Sequence, residues 1–313
     1  MSWQPTLLLF WILFNVFALS LLVADLKLFH RKSRVMRPAE ALAWSAVWIA
    51  LALAFAAAIY FWQGRLVALD FVTGYVLELS LSVDNLFVFL LVFRYFTVPE
   101  EQQHRVLFWG ILGAMFMRGI FIVAGVSLIQ RFHWILYGFG ILLVYSGVRL
   151  FVSGSHQVNP AKNPLVKTLR RWMPVTEKYE GGKFFVRGGC GAPTALCATP
   201  LLLVLIVIET SDLLFAVDSI PAVLSITLNT FIVYTSNIFA IMGLRSMYFA
   251  LAGLMKMFRY LHYGLAVVLV LVGLKMLAVD YYRVSTLWTL LILAAVLLVS
   301  VITSGTTRAA DRA

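Results

Sequence analysis

The chain has 313 residues, of which 62% are hydrophobic and only 12% charged. That balance excludes an ordinary soluble domain and fits a polytopic membrane protein. A formal charge of +11 could suit nucleic acid, but the bases fall between apolar runs, as in membrane loops, so no nucleic-acid partner is expected.

Nine apolar segments approach the ~20 residues needed to cross a hydrocarbon core about 30 Å thick. They are 6–24, 42–62, 67–93, 106–129, 133–152, 199–220, 230–253, 262–279 and 285–304. The first is not read as a cleavable signal, because Lys and Arg follow it instead of preceding it. The third is long and contains Gly74, which suggests a tilt or a break. Thr199-Pro200 reads as the N-cap and first turn of the sixth segment, and Pro221 should end or kink it.

Of the 25 Lys and Arg, Arg118, Arg149, Arg245 and Lys275 lie within segments. Arg149 and Lys275 stand near segment ends and are expected to snorkel. With the amino terminus outside, 18 of the other 21 face inward, and only Arg65, Arg131 and Arg283 face outward. This positive-inside bias predicts nine transmembrane helices, amino terminus outside and carboxyl terminus in the cytoplasm. The longest inner loop, 153–198, contains Cys190 and ends beside Cys197. A reducing cytosol argues against a disulfide there. Two Cys without nearby His make a poor zinc site. The basic stretch Asn159–Gly191 is read as a connection, with contact to anionic lipid headgroups as the lesser alternative.

The chain also resembles itself. Asp84-Asn-Leu-Phe is followed 128 residues later by Asp212-Leu-Leu-Phe. Arg118 matches Arg245 at an offset of 127, and Tyr137-Gly138…Gly147-Val-Arg149 matches Tyr263-Gly264…Gly273-Leu-Lys275 at 126. Each unit contains three segments, an odd number, so the second unit must enter the membrane from the opposite side. The expected fold is therefore an all-α polytopic membrane protein, with nine transmembrane helices and two inverted three-helix repeats. Its expected divisions are two peripheral helices with a basic inner loop (1–66), repeat 1 (67–152), a cytoplasmic linker (153–198), repeat 2 (199–279), and a ninth helix with a cytoplasmic tail (280–313).

Five of the acids inside these apolar runs stand out: Glu78 and Asp84 in the third segment, then Glu209, Asp212 and Asp218 in the sixth. An Asp at the centre of a membrane helix costs about 2.5–3.5 kcal/mol on insertion scales, so such groups need partners. Glu209 and Asp212 share a helical face, but Asp218 is about 180° from Glu209 by the 3.6-residue period. Glu78 and Asp84 also point to different sides. Either the helices break near Ser80–Ser82 and Ser211, or the acids form two sub-sites along a path. Asn85, Ser211 and Asn237 are candidate supporting polar groups. This all-oxygen set suits Mn²⁺, Ca²⁺ or Mg²⁺ and disfavours Zn²⁺ or Cu⁺. Arg118 and Arg245 are candidate counter-charges or proton-coupling groups. Five acids less two bases leave −3, and one divalent ion leaves −1, which one proton would neutralise. That arithmetic motivates cation/proton exchange. No nucleophile–base pair or cofactor motif is found, so neither an enzyme nor a resident cofactor is expected.

Glu78-Leu-Ser-Leu-Ser-Val-Asp84-Asn85 and Glu209-Thr-Ser-Asp212-Leu-Leu-Phe-Ala-Val-Asp218-Ser-Ile-Pro221 resemble the TerC family of bacterial integral membrane proteins. Tyr234-Thr-Ser-Asn237…Gly243-Leu-Arg245 is similarly typical, and the resemblance covers roughly 5–305. It implies a location in the bacterial inner membrane and export of Mn²⁺ from the cytoplasm. Glu78, Asp84, Glu209, Asp212 and Asp218 match the family's acidic positions. The Gly- and Cys-rich stretch Phe184–Cys197 departs from the family pattern and bears on the loop alone. The competing expectation is a membrane-protein assembly or stress-complex partner, related to tellurite resistance, in which the acids form a structural ion-pair core.

Overall fold

Nine long α-helices make up nearly all of the described residues. They are α1 (Pro5–His30), α2 (Pro38–Gln63), α3 (Arg65–Tyr95), α4 (Glu100–Arg131), α5 (Ile135–Ser153), α6 (Pro200–Leu224), α7 (Thr230–Leu254), α8 (Leu261–Leu277) and α9 (Thr286–Ala310). The computed structural model describes residues 5–30, 38–132, 134–153, 171, 174–176, 178–187, 196–254, 261–278, 280–281 and 285–310. The side chains of Val83, Asp84 and Phe87 lie outside the described residues. Every predicted segment coincides with one helix, to within a few residues at most ends.

Local chemistry explains where the helices begin and stop. One residue, Gly64, joins α2 to α3 at φ +92°, a conformation that a side chain disfavours. Pro99 stands at the N-cap of α4, and Glu100 and Glu101 in its first turn complement the positive end of the helix dipole. Asn229 Oδ1 accepts the backbone N–H of Phe231 at 3.2 Å and of Ile232 at 3.4 Å, capping α7. Pro200 opens α6 as expected. Thr199, however, does not cap α6 with its side chain; its hydroxyl donates to Lys183 O at 2.7 Å. Pro221 lies inside α6, three residues from its end. The break considered at Gly74 is absent: α3 runs unbroken, and Gly74 lets Ser236 of α7 approach closely.

Polarity is inverted relative to a soluble protein. Arg118 and Arg245 head the largest fully buried side chains, while Phe61, Phe116 and Val152 are more than two-thirds exposed. Exposed apolar residues run along α1, α2, α4, α5 and α9, so lipid is the solvent these surfaces fit. Among the described residues, four helical stretches can cross a membrane by length and composition alone: Ala39–Gln63, Glu100–Arg131, Ile135–Val152 and Pro200–Leu224. Leu9–Ala24, Tyr263–Leu277 and Thr286–Ser300 are shorter apolar helices.

At the centre, α3 packs on α6 and α7, and α4 packs on the same two helices. Helices α5 and α8 pack chiefly on each other. Their backbones meet at glycines: a Cβ on Gly147 would stand 2.7 Å from Ala266 O, and one on Gly273 would stand 2.8 Å from Gly140 O. Helix α9 lies across α3 and α8. Helices α1 and α2 dock on α7 through an aromatic cluster that includes Trp11, Phe14, Phe55, Tyr234 and Phe239.

A short antiparallel pair, β1 (Phe185–Arg187) and β2 (Leu196–Ala198), precedes α6. Its surroundings tie the 153–198 loop to the helices. Tyr179 donates its hydroxyl to Phe96 O at 2.6 Å, and burial pushes that phenol up to about 12, so it stays a donor at any ordinary pH. Cys197 is fully buried and disulfide-bonded, contrary to the sequence expectation. That expectation weighed only the compartment, whereas pairing with Val186 of β1 places Cys197 in a buried strand before α6. Cys190, the other cysteine of the sequence, lies outside the described residues.

The α5–α8 contact is backbone against backbone, so Gly147→Leu should lower the thermal midpoint of the detergent-purified protein by the equivalent of about 1–3 kcal/mol of overpacking. Gly138→Leu, where a Cβ meets nothing within 4 Å, should leave it unchanged. Equal behaviour of the two variants would contradict this packing.

Candidate functional site

Arg118, on α4, points into the bundle where α3, α4, α6 and α7 meet. Its guanidinium is fully buried. It forms an ion pair with Glu78 of α3 and donates to Asp212 of α6 from Nε at 3.2 Å and Nη2 at 3.1 Å. Nη1 also donates to Asn237 Oδ1 of α7 at 3.0 Å. The paired Nε and Nη2 bonds match the planar fork of a guanidinium to both oxygens of one carboxylate. Asn85 Nδ2 adds a long hydrogen bond of 3.5 Å to Asp212 Oδ1. Among the described residues, Glu78 Oε2 and Asn237 Nδ2 are buried without a partner, so the cluster retains unused polar capacity.

The other acids lie elsewhere. Asp218 accepts a hydrogen bond from Ser146 Oγ of α5 at 2.8 Å. Its cavity of about 20 Å³ lies between α3, α5, α6 and α8 and is also lined by Asn85 and Ser219. Glu209 lies against Gly113 of α4, where an added Cβ would collide with its carboxylate. Asp84 sits on α3 beside Asn85, and its side chain lies outside the described residues. Since α3 and α6 are continuous helices, the 3.6-residue period separates the acids as computed for straight helices. The helix breaks considered near Ser80–Ser82 and Ser211 are absent, since α3 and α6 both run through those positions. Among the described residues no group of three His, Cys, Asp or Glu is gathered for a metal ion. A narrower void of about 10 Å³, otherwise apolar, reaches Asp212 between α3, α4, α6 and α7.

The supporting residues divide. Asn85 and Asn237 both touch the Arg118 cluster. The Ser211 hydroxyl donates to Val207 O at 2.7 Å, so its proton serves its own helix. Arg245 is buried on α7, one helix away from Arg118. Arg149 is exposed. Lys275 does not fit the snorkelling expectation: it is partly buried and donates to Thr289 Oγ1 of α9 at 3.1 Å. Asp70, unremarked in the sequence, accepts from Thr286 Oγ1 of α9 at 2.9 Å. These two bonds fasten α9 to α8 and α3. Ser146 was missed as well. Its only sequence signal was a hydroxyl directly before Gly147 in an apolar segment, which is too common to single out.

A helical bundle with lipid-facing flanks and a buried, charge-paired centre defines an integral, multi-pass membrane protein with a polar intramembrane site. The profile of the TerC integral membrane protein family matches residues 63–312, and the chain belongs to that family. It is 46% identical to an uncharacterised membrane protein of Myxococcus xanthus over 295 residues, covering 94% of this chain and 91% of that one. It is 47% identical over 285 residues to Alx of Escherichia coli K12, named as a candidate membrane-bound redox modulator, covering 88% of each. A membrane protein of Rickettsia bellii is 37% identical over 294 residues, covering 94% of this chain and 96% of that one. No solved structure matches.

Removing the base should leave two buried carboxylates facing each other. Arg118→Met is therefore expected to destabilise the protein by about 3–5 kcal/mol. Adding Glu78→Gln and Asp212→Asn should restore much of that loss, because the orphaned charges disappear. Thermal unfolding in detergent reads both effects, and an unchanged midpoint for Arg118→Met would contradict the cluster.

Proposed function

We propose that this protein is a secondary transporter that exports divalent cations, Mn²⁺ ahead of Ca²⁺ or Mg²⁺, in exchange for inward-moving protons. The observation that carries the reading is the fully buried Arg118 held by Glu78 and Asp212 from two different helices. Ionisable groups at this depth are rare in membrane proteins and lie on substrate or proton pathways. In this state an internal cation occupies the carboxylates. A substrate cation reaching Asp212 competes with the guanidinium for the same oxygens, and protons neutralise the acids when the metal leaves. Asp84, adjacent to Asn85 on α3, and Glu209, against Gly113, supply further carboxylates along the path. Arg245 serves as the second counter-charge. The preference for Mn²⁺ rests on family resemblance, since the oxygen donors alone accept Ca²⁺ or Mg²⁺ equally.

Read as inverted repeats, α3–α5 and α6–α8 would permit alternating access. Exchanging α3 with α6, α4 with α7 and α5 with α8 turns the α3–α7 contact into the α6–α4 contact, and both exist. The Gly140–Gly273 approach likewise becomes the approach of Ala266 to Gly147 at the 126-residue offset. With α1, α2 and α9 peripheral, this reading has nine spans in a bacterial inner membrane, amino terminus outside and carboxyl terminus in the cytoplasm. It is a non-enzymatic role with no resident cofactor.

One observation favours a second reading. Glu78, Asp212 and Arg118 already satisfy one another, as a structural ion-pair core would. The disulfide at Cys197 and the redox wording in the relatives' names fit a membrane-assembly or stress-complex partner with such a core.

Purified protein in proteoliposomes with an imposed pH gradient should move Mn²⁺, and Asp212→Asn should lose most of that flux. In a host lacking its own exporters, the same variant should abolish manganese tolerance at normal protein level. Folded protein that moves none of Mn²⁺, Ca²⁺ or Mg²⁺ would overturn the transport reading in favour of the second.

A further inference from the structure

Asp218 does not share the surroundings of Asp212. The Arg118 cluster lies where α3 and α6 meet α4 and α7, whereas Asp218 faces the opposite side, where α3 and α6 meet the α5–α8 pair. The cavity there, about 20 Å³, exceeds the ~10–15 Å³ that one water-sized occupant requires. Its lining combines apolar Leu81, Leu150 and Leu269 with three oxygen-bearing residues, Asp218, Asn85 and Ser219. Asn85 and Ser219 are each 2% exposed, yet Asn85 Oδ1 and Ser219 Oγ have no hydrogen-bond partner among the described residues. Buried acceptors are seldom left so, and an unsatisfied one costs about 1–3 kcal/mol. They point to an occupant.

We propose that Asp218, Asn85 and Ser219 form a second divalent-cation subsite, separate from the Arg118-held carboxylates, with Asn85 as the residue shared between the two. The inference rests on the transport reading above and gives its path two stations. A carboxylate, an amide oxygen and a hydroxyl are hard donors that suit Mn²⁺, Mg²⁺ or Ca²⁺, and bound water can complete the shell. A lone water would also satisfy Asn85 and Ser219. The donor set distinguishes the two occupants, because a carboxylate stands on the lining beside the amide and the hydroxyl. Ser146 fixes one Asp218 oxygen from α5. Asn85 turns its amide nitrogen to Asp212 and keeps its oxygen for the cavity side. One side chain therefore donates toward the first station and can ligate at the second. A cation at Asp218 would also bridge the α5–α8 pair to the central helices.

The test is Mn²⁺ binding to the purified full chain in detergent, read as loss of the free-ion electron paramagnetic resonance signal. Wild type should bind at two stations; Asp218→Asn should weaken the Asp218 station by roughly tenfold or more, the scale on which metal sites respond to altered ligands, while Asp212→Asn should lose the other station and keep this one. Ser219→Cys puts a soft donor in the same place and should raise Cd²⁺ affinity by about tenfold while lowering that for Mn²⁺. This gain keeps the test decisive if Asp218→Asn does not fold. A single Mn²⁺ site in wild type, lost in Asp212→Asn and kept in Asp218→Asn or lost in both, would overturn the separate subsite and leave the transport reading standing. So would Ser219→Cys without a Cd²⁺ gain. Wild-type protein that binds none of Mn²⁺, Ca²⁺ or Mg²⁺ would overturn both.

Discussion

A guanidinium cannot be left bare in a medium without water. Arg118 is fully buried, and the desolvation of such an ion amounts to several kcal/mol even after relaxation. Its five donors require acceptors from several directions at once. Glu78, Asp212 and Asn237 provide them from α3, α6 and α7, so one side chain on α4 sets the mutual positions of four helices. Small residues make that approach possible. Gly113 leaves room for the Glu209 carboxylate, and Gly74 for Ser236. The void beside Asp212 lies among these four helices, where a charge is held against otherwise apolar walls.

The remaining helices follow a looser logic. α5 and α8 meet along glycines and pack more on each other than on the centre. Among the described residues, what joins them to it near the site includes the Ser146–Asp218 bond and a small cavity lined by Asn85 and Ser219. Helix α9 is fastened by two further polar bonds, Thr286 to Asp70 and Lys275 to Thr289. In a bilayer, apolar side chains gain little by preferring one another to lipid, so small residues and hydrogen bonds select helix partners. The proposed transport cycle requires a shift between two bodies, and a sparse polar link between them would allow one. A cation that competes with an internal base would couple such a shift to binding, since the guanidinium and the substrate cannot both hold the same oxygens.

Much of this arrangement was legible in the chain. Segment lengths and hydropathy placed the helices, because each must satisfy its own backbone hydrogen bonds in lipid and so is specified locally. Acids and bases inside apolar runs marked the polar centre, because their insertion penalty demands partners. The period of 3.6 also showed that straight helices would divide the five acids. Lys275 and Cys197 were misread by rules that concern only the segment end or the compartment, whereas neighbours from α9 and from β1 decide their surroundings.

The sequence by itself therefore determined the all-helical membrane class, the helix positions and the residues whose chemistry the fold must accommodate. Only the tertiary structure decided which carboxylates Arg118 holds, that Ser146 steadies Asp218, and that Asn85 stands between Asp212 and a second cavity. Hydropathy and periodicity act along one helix at a time. A hydrogen bond between residues 94 or 127 positions apart exists only after several helices have packed, and no local pattern encodes its partner.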